Sequence, residues 1–96
     1  MKPPHIISAK AIDDYTLLLK FSNQDVRKYD ISRLSENPLF SLLKNPQFFR
    51  NFTIEVGGYA LVWTEDIDIS EYELWKNGTP VTEEEINHNL EYSGNL

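Results

Sequence analysis

Ninety-six residues, 41% hydrophobic and 25% charged, predict one globular domain with a single core. Cysteine is absent, which excludes a disulfide framework, a thiolate metal site and a cysteine nucleophile together. The net charge of -6 is uneven: residues 1–50 hold eight Lys and Arg against five Asp and Glu, whereas residues 51–96 hold Lys76 against ten acids.

After Pro3-Pro4, residues His5 to Ile12 read as a strand, with Ile7, Ala9 and Ala11 alternating against Ser8 and Lys10. Asp13-Asp14 is a polar break of hairpin length. Tyr15 to Phe21 reads as a second strand, placing Tyr15, Leu17, Leu19 and Phe21 on one face and Thr16, Leu18 and Lys20 on the other. Leu18 on that second face calls for a cover, either a helix or a partner chain. Ser22 to Asp25 carries turn chemistry, and Val26 to Ile31 completes an antiparallel meander.

The period then changes. Asn37-Pro38 predicts a helix start, with Asn37 as N-cap and Pro38 where its missing N–H costs nothing. Leu39, Leu42 and Leu43 fall on one helical stripe beside Phe40. Asn45-Pro46 ends that helix and opens another turn carrying Phe48, Phe49 and Phe52, so this segment is expected to lid the core. Phe52–Val56 and Tyr59–Thr64 flank Gly57-Gly58, the preferred residues of a primed hairpin turn. Both faces of the second run are apolar, as in a central strand, with Leu61 and Trp63 sharing the face of Tyr59.

Two helix starts follow. Ser70-Glu71-Tyr72-Glu73 matches a capping box, with Ile69 and Leu74 as its hydrophobic staple. Thr82-Glu83-Glu84-Glu85 repeats it with Val81 and Ile86. Carboxylates in a first helical turn meet the positive end of the helix dipole, so Glu71, Glu73 and Glu83 to Glu85 have a structural reason to exist. Asn77-Gly78 ends the first helix; the second runs from Glu83 to about Tyr92, and Ser93 to Leu96 should fray. The expected class is α+β: a three-stranded antiparallel meander, short helices, then a β-hairpin and C-terminal helical segments. Residues 1–76 form the single domain and 77–96 an acidic helical extension.

Chemistry is sparse. His5 and His88 stand near opposite termini with no metal-ligand spacing, and no nucleophile elbow, phosphate loop or dinucleotide fingerprint is present. The chain is therefore read as a non-enzyme without a cofactor, a metal or catalytic residues. Glu65, Asp66 and Asp68 form an acidic corner whose oxygens suit a hard cation, but the loop lacks the glycine turn and ligand periodicity of a calcium loop. Lys10, Lys20, Arg27, Lys28 and Arg33 are too scattered for a nucleic-acid footprint. Trp63 reads as core or interface packing. The Asn51-Phe52-Thr53 and Asn77-Gly78-Thr79 triplets read as chance. No apolar run approaches the ~18–20 residues of a membrane span, and the N-terminus does not lead into a signal-peptide core, so a cytoplasmic location is expected.

Pro4-His5-Ile6, Tyr15-Thr16-Leu17, Phe21, Tyr29-Asp30-Ile31 and Phe40-Ser41-Leu42 recur in a known pattern. So does Trp63-Thr64-Glu65-Asp66-Ile67-Asp68-Ile69-Ser70 with Leu74. Together they resemble the bacterial domain-of-unknown-function family numbered 2442, over about residues 4–75. That family's pattern tends to have glycine in the turn before its third strand and in the corner after the tryptophan, where this chain has Gln24 and Asp66. The resemblance implies a small α+β domain and no established catalytic residues. Short stand-alone relatives suggest toxin–antitoxin-like pairs, and relatives fused to helix-turn-helix domains suggest an accessory transcriptional regulator.

The expectation carried forward is a protein-binding module, an antitoxin-like partner of another small and basic protein, with Glu65, Asp66 and Asp68 as the partner-binding residues. The accessory regulator is the alternative and an enzyme a remote one. The edge strands of a small sheet also invite a homodimer. Neither membrane nor nucleic acid is expected as a partner of the chain alone.

Overall fold

The computed structural model describes residues 3–34 and 36–82. The helix expected from Glu83, the tail from Ser93 to Leu96, and His88 lie outside the described residues. Antiparallel sheets joined by short helices make the chain α+β, as expected.

Strands β1 (Ile6–Ala11), β2 (Thr16–Phe21) and β3 (Val26–Asp30) form the meander. Directly opposed residues share a face, so Leu17 with Tyr29 and Leu19 with Arg27 stack on one side, and Lys10, Leu18 and Lys28 on the other. Leu17, Leu19, Phe21 and Tyr29 are fully buried in the core, each side chain worth roughly 1.5–3 kcal/mol where aliphatic or phenyl. Three positions depart from simple alternation. A register shift between Ile6 and Ser8 puts Ile6 into the core and leaves Ile7 exposed, because a bulge resets the period. Tyr15 precedes β2 and is exposed instead of joining Leu17; its backbone N–H is held by the Asp13 carboxylate in the turn. Leu18 has no exposed surface and so offers no apolar patch to a partner.

Asn37 caps a helix as expected, accepting the Leu39 N–H, and Pro38 follows it. Residues Pro38–Lys44 wind, however, as a 3-10 helix. With three residues per turn, i and i+3 lie on one line. Phe40 and Leu43 therefore face inward together, while Leu39 and Leu42 face outward at 51% and 53% exposure. The stripe of Leu39, Leu42 and Leu43 is corrected on that ground: it assumed a repeat of 3.6. Asn45 next accepts the N–H groups of Gln47 and Phe48 and starts α1 (Pro46–Arg50), whose Phe49 is fully buried.

Strands β4 (Thr53–Ile54), β5 (Ala60–Thr64) and β6 (Ile67–Ser70) make a second sheet in the order β4-β5-β6. The β4–β5 hairpin forms, but not through a primed two-residue turn on Gly57-Gly58. The Gly58 N–H donates to the Glu55 carbonyl, so Val56 and Gly57 are the central residues, and positive φ falls on Gly57 (88°) and Gly58 (77°). Gly58 is also where the sheets meet. Its carbonyl accepts the Ile6 N–H at 2.9 Å, and a Cβ there would stand 2.4 Å from the Ile6 oxygen.

Helix α2 (Glu71–Asn77) starts at Ser70, whose hydroxyl accepts the Glu73 N–H, with Ile69 and Leu74 both in the core. The helix ends against Gly78 at an ordinary φ of -74°. Space is the requirement here, because a Cβ would lie 2.4 Å from the Leu74 carbonyl oxygen. The chain then adds β7 (Thr79–Pro80) to the outer side of β3, giving the order β1-β2-β3-β7. Asn77-Gly78 ends α2 as expected, whereas Thr79–Pro80, assigned to the helical extension, form this strand. Among the described residues no helix is long and apolar enough to cross a membrane.

Candidate functional site

The acidic residues singled out from the sequence lie on the β5–β6 hairpin. Thr64 shapes its turn: the hydroxyl oxygen accepts the N–H groups of Asp66 at 3.2 Å and Ile67 at 3.1 Å. Glu65 and Asp66 occupy the exposed tip. Beyond it, Ile67 and Ile69 are buried in the core and Asp68 between them is exposed, so β6 alternates with a period of two. The structure thus divides the corner into a two-residue tip and one strand position. Among the described residues no three His, Asp or Glu side chains converge as metal ligands.

Asp68 opens onto a depression of about 340 Å³, lined also by Leu34, Phe40, Ile69, Ser70 and Glu73. Its floor is apolar and its rim acidic. Glu73 is already engaged: its carboxylate accepts from the Tyr29 hydroxyl at 2.6 Å and from the Asn77 amide at 2.8 Å, and it pairs with Arg33 at 3.4 Å. Burial, then the hydrogen bond to Glu73, pushes the Tyr29 phenol well above its ordinary pKa, so it stays neutral and donates. Among the described residues the Asp68 carboxylate has no hydrogen bond or ion pair. Phe40 also walls a second depression of about 360 Å³ with Tyr15, Ile31, Leu43 and Pro46. At that end Asp14 is paired with Arg50 at 2.9 Å.

Phe40 is the residue that sequence reasoning undervalued. It entered as a neighbour of a leucine stripe, and only a 3-10 repeat brings it between the two depressions. The pattern Ile67-Asp68-Ile69-Ser70 did carry the alternation of a strand, a signal that the charge of the corner obscured.

The remaining candidates have structural duties. Trp63 donates its indole N–H to the Phe49 carbonyl at 2.8 Å, stacks on Phe49 and meets Phe52 edge-on, which ties α1 to β5. His5 lies 2.8 Å from the Glu71 carboxylate and edge-on to Tyr59. The cations divide. Lys10, Lys20 and Lys28 share the Leu18 face of the first sheet. Arg27 turns the other way, stacks over Trp75 at 5.1 Å and donates to the Trp75 carbonyl at 2.6 Å. Asp25 accepts from Trp75, Arg27 and Asn23, and these bonds, the Trp75 indole first, hold its carboxyl below the ordinary value. Nothing in the sequence marks that cluster, since Trp75 lies some fifty positions from Asp25.

A model of the family described as "Protein of unknown function (DUF2442)" matches residues 6–80, from the first residue of β1 to the last of β7. No curated protein and no solved structure matches the chain.

Proposed function

The chain belongs to the family of proteins of unknown function DUF2442, and from the geometry of its β5–β6 hairpin we propose that it is a cytoplasmic protein-binding module, the antitoxin-like partner of another small, basic protein. One observation carries this reading. Asp68, an exposed carboxylate, borders a depression floored by Leu34, Phe40 and Ile69, so apolar contact and negative charge are offered together. Interfaces are commonly built that way, with an apolar centre that supplies affinity and a charged rim that supplies on-rate and specificity. Glu65 and Asp66 at the hairpin tip extend the negative field towards an approaching cation.

The test is capture from the cells that naturally make the chain, by the wild type and by Asp66→Asn/Asp68→Asn. The wild type should retain a small basic protein that the double variant retains at least about tenfold less well, the equivalent of roughly 1.4 kcal/mol. That protein, expressed alone, should arrest growth, and co-expression of the chain should relieve the arrest. An unchanged set of captured proteins removes the acidic hairpin from the function. A gel shift of upstream DNA by the chain alone at physiological salt would favour the accessory regulator instead.

A further inference from the structure

Among the described residues strand β6 is the last strand of its sheet, and its hydrogen-bonding phase follows from one contact outside it. The Glu71 N–H donates to the Tyr59 carbonyl at 2.9 Å. Tyr59 and Glu71 lie in the same register as Ala60 with Ser70, Leu61 with Ile69 and Val62 with Asp68. Bonded and non-bonded pairs alternate in an antiparallel ladder, so Leu61–Ile69 is a bonded pair while Ala60–Ser70 and Val62–Asp68 are not. The N–H and C=O of Asp68 and the N–H of Ser70 therefore point away from β5, along the free side of β6.

That side faces the depression beside Leu34 and Phe40. In a complete capping box the Glu73 carboxylate would reach back to the Ser70 N–H. Here both of its oxygens are turned to Tyr29, Arg33 and Asn77, and among the described residues nothing accepts from Ser70 N–H or Asp68 N–H. The outer edges of the first sheet are guarded differently. Strand β7 ends in Pro80, and β1 carries a bulge and gives its Ile6 N–H to Gly58. Strand β6 has neither a proline nor a lysine along it.

We propose that the free edge of β6 binds an extended segment of the basic partner by strand addition, with a Lys or Arg of that segment meeting Asp68 and an apolar side chain seated against Leu34, Phe40 and Ile69. The inference rests on the protein-binding reading above and specifies its mode. Main-chain bonds to Asp68 and Ser70 supply affinity, and the period of two along the added strand supplies specificity. The acidic side chains of this hairpin select a basic segment over an acidic one.

The test uses the full ¹⁵N-labelled chain and a short, end-capped peptide of alternating lysine and valine. Two further versions carry N-methyl groups on alternate backbone nitrogens, one in each phase. The parent peptide should shift the Asp68 and Ser70 amides and slow their exchange, and one methylated version should bind at least about tenfold more weakly. Asp68→Pro removes an outward N–H and no β5–β6 bond, and should weaken binding similarly with an unchanged circular dichroism spectrum. If that variant fails to fold, the methylated peptides still decide the matter on the unaltered protein. Equal binding by all three peptides overturns strand addition, and if Asp68→Asn still weakens them the acidic surface stands without it. No shift at either amide up to about 1 mM peptide also overturns strand addition; the capture experiment then judges the protein-binding reading separately.

Discussion

Gln24 sits at φ 76°, the sole non-glycine residue with positive φ among those described. Its N–H closes the β2–β3 turn on the Phe21 carbonyl, and Phe21 in turn bonds the Asp25 carbonyl. A side chain in that conformation costs about 1–2 kcal/mol through its clash with the following carbonyl. Gln24→Gly should therefore stabilise the chain by about 0.5–1 kcal/mol, after the greater unfolded-state freedom of glycine is subtracted. The check is a higher urea midpoint with an unchanged slope. Asp66 stands where the family pattern also tends to have glycine, yet it has no positive φ, because the Thr64 hydroxyl holds that turn. Two positions with the same sequence expectation thus have different physical requirements.

The segment Pro38–Lys44 separates helix type from helix existence. Asn37-Pro38 and Asn45-Pro46 mark both ends in the sequence, but no single residue in between states the repeat. A seven-residue helix between two capped prolines can follow whichever winding best buries its neighbours. The 3-10 phase buries Leu43, turns Phe40 half-buried against the core beside it, and leaves Leu39 with Leu42 outside. Leu43→Ala should then cost about 2–5 kcal/mol, and Leu39→Ser or Leu42→Ser no more than about 0.5 kcal/mol. Urea denaturation of the three variants checks this, and equal losses for Leu39 and Leu43 would restore the α-helical stripe. Strand β6 teaches the converse: its alternation of Ile67 and Ile69 with Asp68 and Ser70 was present in the sequence, and pairing to β5 made it a strand.

Across the molecule, the Asn23, Asp25, Arg27 and Trp75 cluster fastens the β2–β3 turn to α2, and it makes stability depend on pH. The Asp25 carboxyl titrates below its ordinary 3.8 in the folded chain, chiefly through the Trp75 indole. A depressed carboxyl stabilises fully above the unfolded pKa and loses that contribution as pH falls through the folded one. Trp75→Phe should raise the Asp25 pKa in an NMR titration, and the stability gap between variant and wild type should be smaller at pH about 2.5 than at neutrality. Asp25 is partly exposed, so the pH-dependent part is on the order of 1 kcal/mol or less. The sequence by itself determined the α+β class, the meander, the capping positions at Asn37 and Ser70, and the hairpin that joins β4 to β5. Those features rest on local signals: a period of two, side-chain caps and turn residues. Only the tertiary structure decided that Phe40 borders two depressions, that Glu73 turns from its own cap to Tyr29, and that Asp68 and Ser70 direct backbone groups away from β5 along an edge with no strand partner among the described residues. The first two depend on contacts between residues far apart in the chain and the third on the pairing phase of β5 with β6, neither of which a local pattern encodes.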